Sequence, residues 1–206
     1  MSMIDYLKEE YGLNNPFLLE EIRYEDCTYE TIKSMIAAYA KEGELRRYSQ
    51  GVYYFPKTTV LGESIPSFES VINRKFICSN DNIKGYITGM SLLNQVGLTT
   101  QVPNVLEVTT NVEKNKKRTI EIRQRKIIVR KPTVEITNQN VKYLQFLDLF
   151  KYASLDMIKN NLDLIVNLFN VFELKLEELK RWANNYSKEV KKKIRESCLY
   201  DELAFG

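Results

Sequence analysis

Twenty consecutive residues, "GYITGMSLLNQVGLTTQVPN" from Gly85 to Asn104, carry no charge in a chain that is 28% charged, and they hold three of its eight glycines. The spacing excludes two phosphate-binding readings. Gly85 and Gly89 form G-x-x-x-G with no Lys-Ser or Lys-Thr after it, and Gly97 comes too late for a dinucleotide fingerprint. What remains is a short strand ending at a glycine, then a helix of roughly two turns over "SLLNQVG". Thr88 or Ser91 is expected to cap that helix and Gly97 to stop it. "LTTQVPNVLEVTT" continues as extended chain, with Pro103 confining it to an edge or loop. Two readings stand for the stretch: a packing element in which Gly85 and Gly89 permit close approach, or a partner-facing surface tested through Gln95, Thr99, Thr100 and Gln101.

Ahead of this stretch the pattern is helix, helix, helix, hairpin. "MIDYLKEEYG" places Ile4, Leu7 and Tyr11 on one face and stops at Gly12. "NNPFLLEEI" predicts a second helix, with Asn15 as cap and Pro16 at the first helical position. "CTYETIKSMIAAYAKEG" predicts a third, capped by Thr28, with Ile32, Ile36 and Tyr39 inward and Gly43 as its end. "GELRRYSQGVYYFP" reads as two strands around Ser49, Gln50 and Gly51. This order predicts a winged helix-turn-helix over residues 1–57. Its DNA-binding residues would be Thr28, Tyr29, Thr31, Lys33 and Ser34 on the third helix, with Arg46, Arg47, Gln50 and Lys57 on or beside the wing.

Charge is unevenly placed. The formal net charge is +3, yet residues 1–57 carry −3, residues 58–113 carry −2, residues 114–131 carry +8, and residues 132–206 balance. Within "KNKKRTIEIRQRKIIVRK" the inward Ile120 and Ile122 and the inward Ile127 and Val129 differ in parity, which requires a bulge or tight turn near Gln124–Lys126. Arg118, Arg123, Arg125, Lys126, Arg130 and Lys131 are expected along an exposed sheet face and loop, as a secondary basic surface for phosphates. Beyond Asn140 the chain reads helical, with Ser187 capping its last helix and Trp182 and Tyr186 in the core. The fold class expected is α+β: the winged unit, then 58–139 as mixed α/β with basic strands, then 140–206 as helices.

Several functions are disfavoured. The chain has no histidine, so Ser-His-Asp, Cys-His and His-metal chemistry are absent. Three widely spaced cysteines suit reduced thiols of a cytoplasmic protein, and neither a signal peptide nor a bilayer-spanning run is evident. A metal-dependent nuclease needs an Asp ahead of a Glu-x-Lys pair, whereas Glu121 with Arg123 has no such Asp on a preceding strand. No catalytic residue, metal or cofactor is expected.

"GVYYFPKTTVLGESIPS", "GYITGMSLLNQVGLTTQVPN", "VLEVTTN" and the tail "LKRWANNYSKEVKKKIRE" together resemble the AbiEi-type antitoxins and viral-defence transcriptional regulators of bacteria. Gly51, Tyr53, Gly85, Gly89, Asn94, Gly97, Leu98, Thr99, Gln101, Leu144 and Leu147 carry the resemblance. It implies an antitoxin-like domain over 58–206 and a repressor that binds inverted repeats upstream of its own operon, as a monomer or a weak dimer cooperative on DNA. It further implies a type IV toxin–antitoxin or abortive-infection system, in which the chain counteracts a nucleotidyltransferase-like toxin without tight physical binding. The alternative from the residues alone is a protein–protein interaction module without specific DNA binding. A nucleic-acid-processing enzyme is the remaining class.

Overall fold

A computed structural model describes every residue except Leu61 and Gly206. It is an α+β protein, with ten α-helices and four small sheets among the described residues. The chain divides into two compact units, Met1–Lys75 and Phe76–Gly206. The boundary expected after residue 57 falls inside the first unit, because 58–75 is tied back by side chains: Arg46 to Glu63 at 2.7 Å, Arg74 to Glu21 at 2.8 Å, and Lys75 Nζ to the Gln50 carbonyl at 3.2 Å. Among the described residues no helix is long and apolar enough to cross a membrane.

In the first unit, α1 (Met3–Tyr11) is capped by Ser2 and stopped by Gly12 at φ 69°. The segment predicted as a second helix is instead β1 (Phe17–Leu18) followed by a 3-10 turn, Leu19–Glu21. Packing explains the difference. Phe17, Leu18 and Leu19 are consecutive and all buried, and burying each side chain is worth about 1.5–3 kcal/mol, more than the few tenths by which helix propensities differ. Asn15 does not cap; its Nδ2 donates to the Tyr11 carbonyl at the end of α1.

α2 (Tyr29–Glu42) matches the third predicted helix. Gly43 ends it in the left-handed conformation, φ 84°, with the Glu44 N–H reaching the Tyr39 carbonyl. The hairpin β2 (Arg46–Ser49) and β3 (Val52–Tyr54) follows, irregular between Arg47 and Ser49. β1 joins the far side of β3, giving the order β1-β3-β2. Phe17 centres this core, stacked 4.6 Å from Tyr11 and 5.7 Å from Phe55, above Leu7, Ile32 and Ile36. A two-stranded ribbon of β4 (Thr58–Thr59) and β5 (Gly62–Glu63) and the short helix α3 (Phe68–Ile72) complete the unit.

The second unit starts with a small hairpin, β6 (Cys78–Ser79) and β7 (Asn82–Ile83). Next come β8 (Gly85–Ile87), α4 (Gly89–Gln95), β9 (Leu106–Thr110), β10 (Lys117–Ile122) and β11 (Arg125–Arg130). The sheet order is β10-β11-β9-β8, with β9 and β11 parallel and the other pairs antiparallel. The helical remainder is α5 (Val141–Tyr152), α6 (Leu155–Asn160), α7 (Leu162–Val171), α8 (Leu176–Ala183), α9 (Lys188–Glu196) and α10 (Leu199–Phe205). The apolar run after Ser154 is divided into α6 and α7 at Asn161, whose side chain donates to the Met157 carbonyl at 2.8 Å and so competes with helix continuation. Ser187 caps α9 as expected. The core of this unit is built on Phe146, Leu147 and Phe150 of α5, with Leu92 and Leu93 of α4 and Ile158, Ile165 and Leu179 of the later helices.

Candidate nucleic-acid interface

The exposed face of α2 follows from its period. Ile32 and Ile36 are buried, which turns Tyr29, Thr31, Lys33, Ser34, Ala37 and Ala38 outward. Thr28 spends its oxygen on the helix, accepting the Thr31 N–H and lying 2.9 Å from the Thr31 hydroxyl. Thr28→Ala is therefore expected to destabilise the first unit by about 1 kcal/mol, and Thr28→Ser to leave it nearly unchanged, as read by urea unfolding. Ser34 donates to the Glu30 carbonyl, and Lys33 pairs with Glu30 at 3.2 Å. An exposed pair of this kind is worth about 0.2–1 kcal/mol, so Lys33 can exchange Glu30 for a phosphate at little cost.

The two arginines of β2 have different surroundings. Arg46 is held by a fork: Nε and Nη2 reach Glu63 at 3.0 and 2.7 Å, and Nη1 reaches the Gly43 carbonyl at the end of α2. Its role here is to tie the β2–β3 hairpin to the end of α2 and to β5. Arg47 is exposed and makes a long 3.4 Å bond from Nε to the Ser49 carbonyl. Gln50 is exposed at the turn, and Lys57 is exposed while its backbone N–H donates to Ser64. The unit as a whole stays acidic, with nine Lys/Arg against twelve Asp/Glu in residues 1–75.

The basic segment of the second unit forms the β10–β11 hairpin. Its turn is Arg123–Gln124, both at positive φ, 47° and 65°. This two-residue geometry matches the twist of the strands and accounts for the parity change without a bulge. The register corrects the expectation of one basic face. Arg118 lies opposite Val129 and Arg125 opposite Ile122, on the face carrying the buried Ile127; Lys117, Lys126 and Arg130 lie on the other face.

Two of the expected phosphate contacts are internal partners. Arg130 donates twice to Glu107, at 3.1 and 2.6 Å, and stands 5.8 Å over the Tyr152 ring. Arg118 donates to the buried Glu113 at 2.9 Å. Burial would raise the Glu113 carboxyl, but the Asn115 N–H and Arg118 outweigh it and hold the group below its usual range. Arg123, Arg125, Lys126 and Lys131 remain exposed. Lys114, Lys116 and Lys117, equally exposed, extend this surface; the charge run signals them, although the alternation pattern singles out only later residues.

The uncharged stretch owes its composition to packing. At Gly85 a Cβ would stand 2.0 Å from the Phe76 carbonyl oxygen and 2.7 Å from that of Thr109. At Gly89, where φ is 67°, it would meet the Glu107 carboxylate at 2.4 Å. Thr88, not Ser91, stands at the N-cap of α4, but its side chain makes no capping bond and donates its hydroxyl to Asp148 instead; Ser91 is buried and bridges the Val105 carbonyl and the Glu107 N–H. Gly97 does end the helix, in a Schellman arrangement with the Leu98 N–H on the Leu93 carbonyl.

Of the four residues set aside for a partner role, Gln95, Thr100 and Gln101 are exposed. Thr99 is half-buried, its carbonyl held by Asn94 and its hydroxyl by the Gln101 N–H. Gln95 also lines a groove of about 280 Å³ with Ile87, Asn94, Val102 and Pro103.

Asp148, on the apolar side of α5, is a residue that sequence reasoning passed over. It is 1% exposed and collects Thr88 at 2.5 Å, Tyr86 at 3.3 Å and Tyr186 at 3.2 Å, with Lys151 Nζ at 3.8 Å. Burial raises its carboxyl above the usual range, against the opposing effect of Lys151 and the three hydroxyls. Burial and the Asp148 charge push the phenols of Tyr86 and Tyr186 well up, so both are donors. An acidic residue inside "LQFLDLFKY" was the available signal. The cluster joins strand, α4 entry and helices of one unit, and Tyr86, Thr88, Asp148 and Tyr186 are all buried.

No curated protein matches the sequence. A family model described as a family of unknown function, DUF6088, matches residues 17–164. That span takes in β1 through α6 and the start of α7, including the β2–β3 hairpin, the uncharged stretch and the basic hairpin, and exceeds two thirds of the chain. The chain belongs to DUF6088.

Proposed function

We propose that this chain is a cytoplasmic DNA-binding repressor of its own operon that also serves as the antitoxin of a type IV toxin–antitoxin or abortive-infection system. The observation that carries the DNA-binding part is the first unit's order of elements. α1, β1, a 3-10 turn, α2 and the β2–β3 hairpin, with strand order β1-β3-β2, support reading this unit as a winged helix-turn-helix variant whose second helix is reduced to Leu19–Glu21. α2 is then the reading helix. It offers small and polar side chains that tolerate close approach to base edges, and its diameter suits a major groove about 12 Å wide. Lys33, Arg47 and Lys57 are the phosphate contacts, and Arg46 is a positioning residue for the wing.

A first unit with an acidic surplus attracts DNA weakly, since the sequence-independent part of affinity comes from phosphates neutralised by Lys and Arg. Residues 114–131, with nine Lys/Arg and one Glu, supply the missing charge in this reading. The antitoxin part rests on the resemblance of the wing, the uncharged stretch and the tail to AbiEi-type antitoxins, and the partner in opposition is a nucleotidyltransferase-like toxin.

A reporter driven by the operon's upstream region tests repression in cells. Wild-type chain should silence it, and Lys33→Ala with Arg47→Ala should restore expression while the protein level is unchanged. A second assay co-expresses the chain with its neighbouring toxin gene. Growth should be rescued by the wild type and by the same double variant, because the antitoxin role is assigned to the second unit. Repression that survives the double substitution would contradict the assignment of α2 and the wing.

A further inference from the structure

The C-terminal helices enclose an open cleft of about 550 Å³, lined by Lys180, Arg181 and Asn184 at the end of α8, by Lys191 and Arg195 on α9, and by Tyr200 on α10. Glu177 is the one carboxylate in the lining, against four cations. The partners of these cations are distributed in a way that chance solvation does not require. Lys180 pairs with Glu177 at 3.0 Å and Arg181 with Glu178 at 3.6 Å. On α9, Lys192 pairs with Glu196, and Lys193 pairs with Glu189 and also donates to the Ala153 carbonyl.

Lys191 and Arg195, the two α9 cations that face the cleft, have no ion pair among the described residues. They stand four residues apart on one helix face, where like charges repel and destabilise the helix. An anion seated between them removes that penalty. Lys180 lies 5.8 Å over the Tyr200 ring, whose phenol burial raises above its usual range, so the far wall is closed by a neutral ring under a cation.

We propose that this cleft binds the polyphosphate group of a small molecule, with Lys191 and Arg195 as the primary anion contacts and Lys180, Arg181 and Asn184 completing the shell. Arginine suits a phosphate because its planar fork can donate two parallel bonds, and lysine supplies a point charge. The surplus of three positive charges in the lining matches a pyrophosphate better than a single carboxylate. The volume lies in the range of about 300–1,000 Å³ typical of small-ligand sites, which accommodates a nucleoside di- or triphosphate. The site is in the second unit and owes nothing to the DNA-binding reading.

Isothermal titration of the full chain with sodium pyrophosphate, with ATP, and with a short single-stranded oligonucleotide tests it, each at fixed ionic strength. Saturable binding of pyrophosphate or ATP, weakened at least about tenfold by Lys191→Ala with Arg195→Ala and unchanged by Lys192→Ala, supports the site. Both sets of substitutions are at exposed positions, and circular dichroism confirms that each variant stays folded. ATP binding tighter than pyrophosphate adds recognition of the nucleoside; equal binding means that phosphate alone is read. Absence of saturable binding by both, or binding that the double variant retains, overturns the proposal. So does binding confined to the oligonucleotide, which would assign the cleft to a polymer backbone.

Discussion

Gly85→Ala is expected to unfold the second unit or to leave it aggregated on expression. The added Cβ would be wedged between two backbone carbonyl oxygens, 2.0 Å from Phe76 and 2.7 Å from Thr109, with Thr110 Cβ at 3.0 Å. Neither oxygen can swing away as the end of a side chain could. Ordinary overpacking costs about 1–3 kcal/mol; a clash on backbone from two sides should cost about 4 kcal/mol or more, a large part of the roughly 5–15 kcal/mol that holds a typical domain. Gly97→Ala is the matched control. Gly97 has φ 81° and open space around its Cβ position, so only conformational strain is added, about 1 kcal/mol. Urea unfolding followed by the fluorescence of the single tryptophan, Trp182, separates the two. A Gly85→Ala protein as stable as Gly97→Ala would contradict the packing account of the uncharged stretch.

Asp148→Ala should be the second large effect. It leaves the hydroxyls of Thr88 and Tyr86 buried without their acceptor, while Tyr186 keeps its bond to the Leu144 carbonyl. Each orphaned buried group costs about 1–3 kcal/mol, so a destabilisation of about 3 kcal/mol is expected once the emptied space is included. Asp148→Asn keeps an acceptor and removes the charge, and its effect has a pH sign. The Asp148 carboxyl is raised above 3.8 in the folded protein; its favourable contribution is full below 3.8 and disappears as pH rises through the folded value. The stability of the wild type relative to Asp148→Asn should therefore fall with rising pH in the window above 3.8. A flat difference across that window would mean that the carboxyl is not perturbed.

What could be read from sequence was local. Gly43 and Gly97 end helices because a left-handed residue is needed there, and Thr28 and Ser187 cap because their oxygens meet an N–H three residues on. The tight turn at Arg123–Gln124 was implied by the parity of Ile120, Ile122, Ile127 and Val129 alone. What failed depended on partners distant in the chain. Residues 17–19 became a strand and a 3-10 turn because the β3 edge and the Leu7–Ile36 core lay ready to receive them. Arg118 and Arg130 looked like surface cations until Glu113 and Glu107 were placed beside them. Thr88 stands at the N-cap of α4 without a side-chain capping bond because a carboxylate sixty residues later takes its hydroxyl. Sequence periodicity reports which face is apolar; it carries no information on which buried polar group will meet which.

The central claim is that α2 and the wing bind specific DNA while the basic hairpin adds sequence-independent affinity. Fluorescence anisotropy of the purified chain with its own upstream duplex and with a shuffled duplex, across a salt series, tests it most directly. The account predicts a clear preference for the upstream duplex that Lys33→Ala with Arg47→Ala abolishes. It also predicts that Lys126→Ala with Lys131→Ala reduces the salt slope on both duplexes, by about one unit for each phosphate no longer neutralised. Equal affinity for the two duplexes at every salt concentration would contradict it.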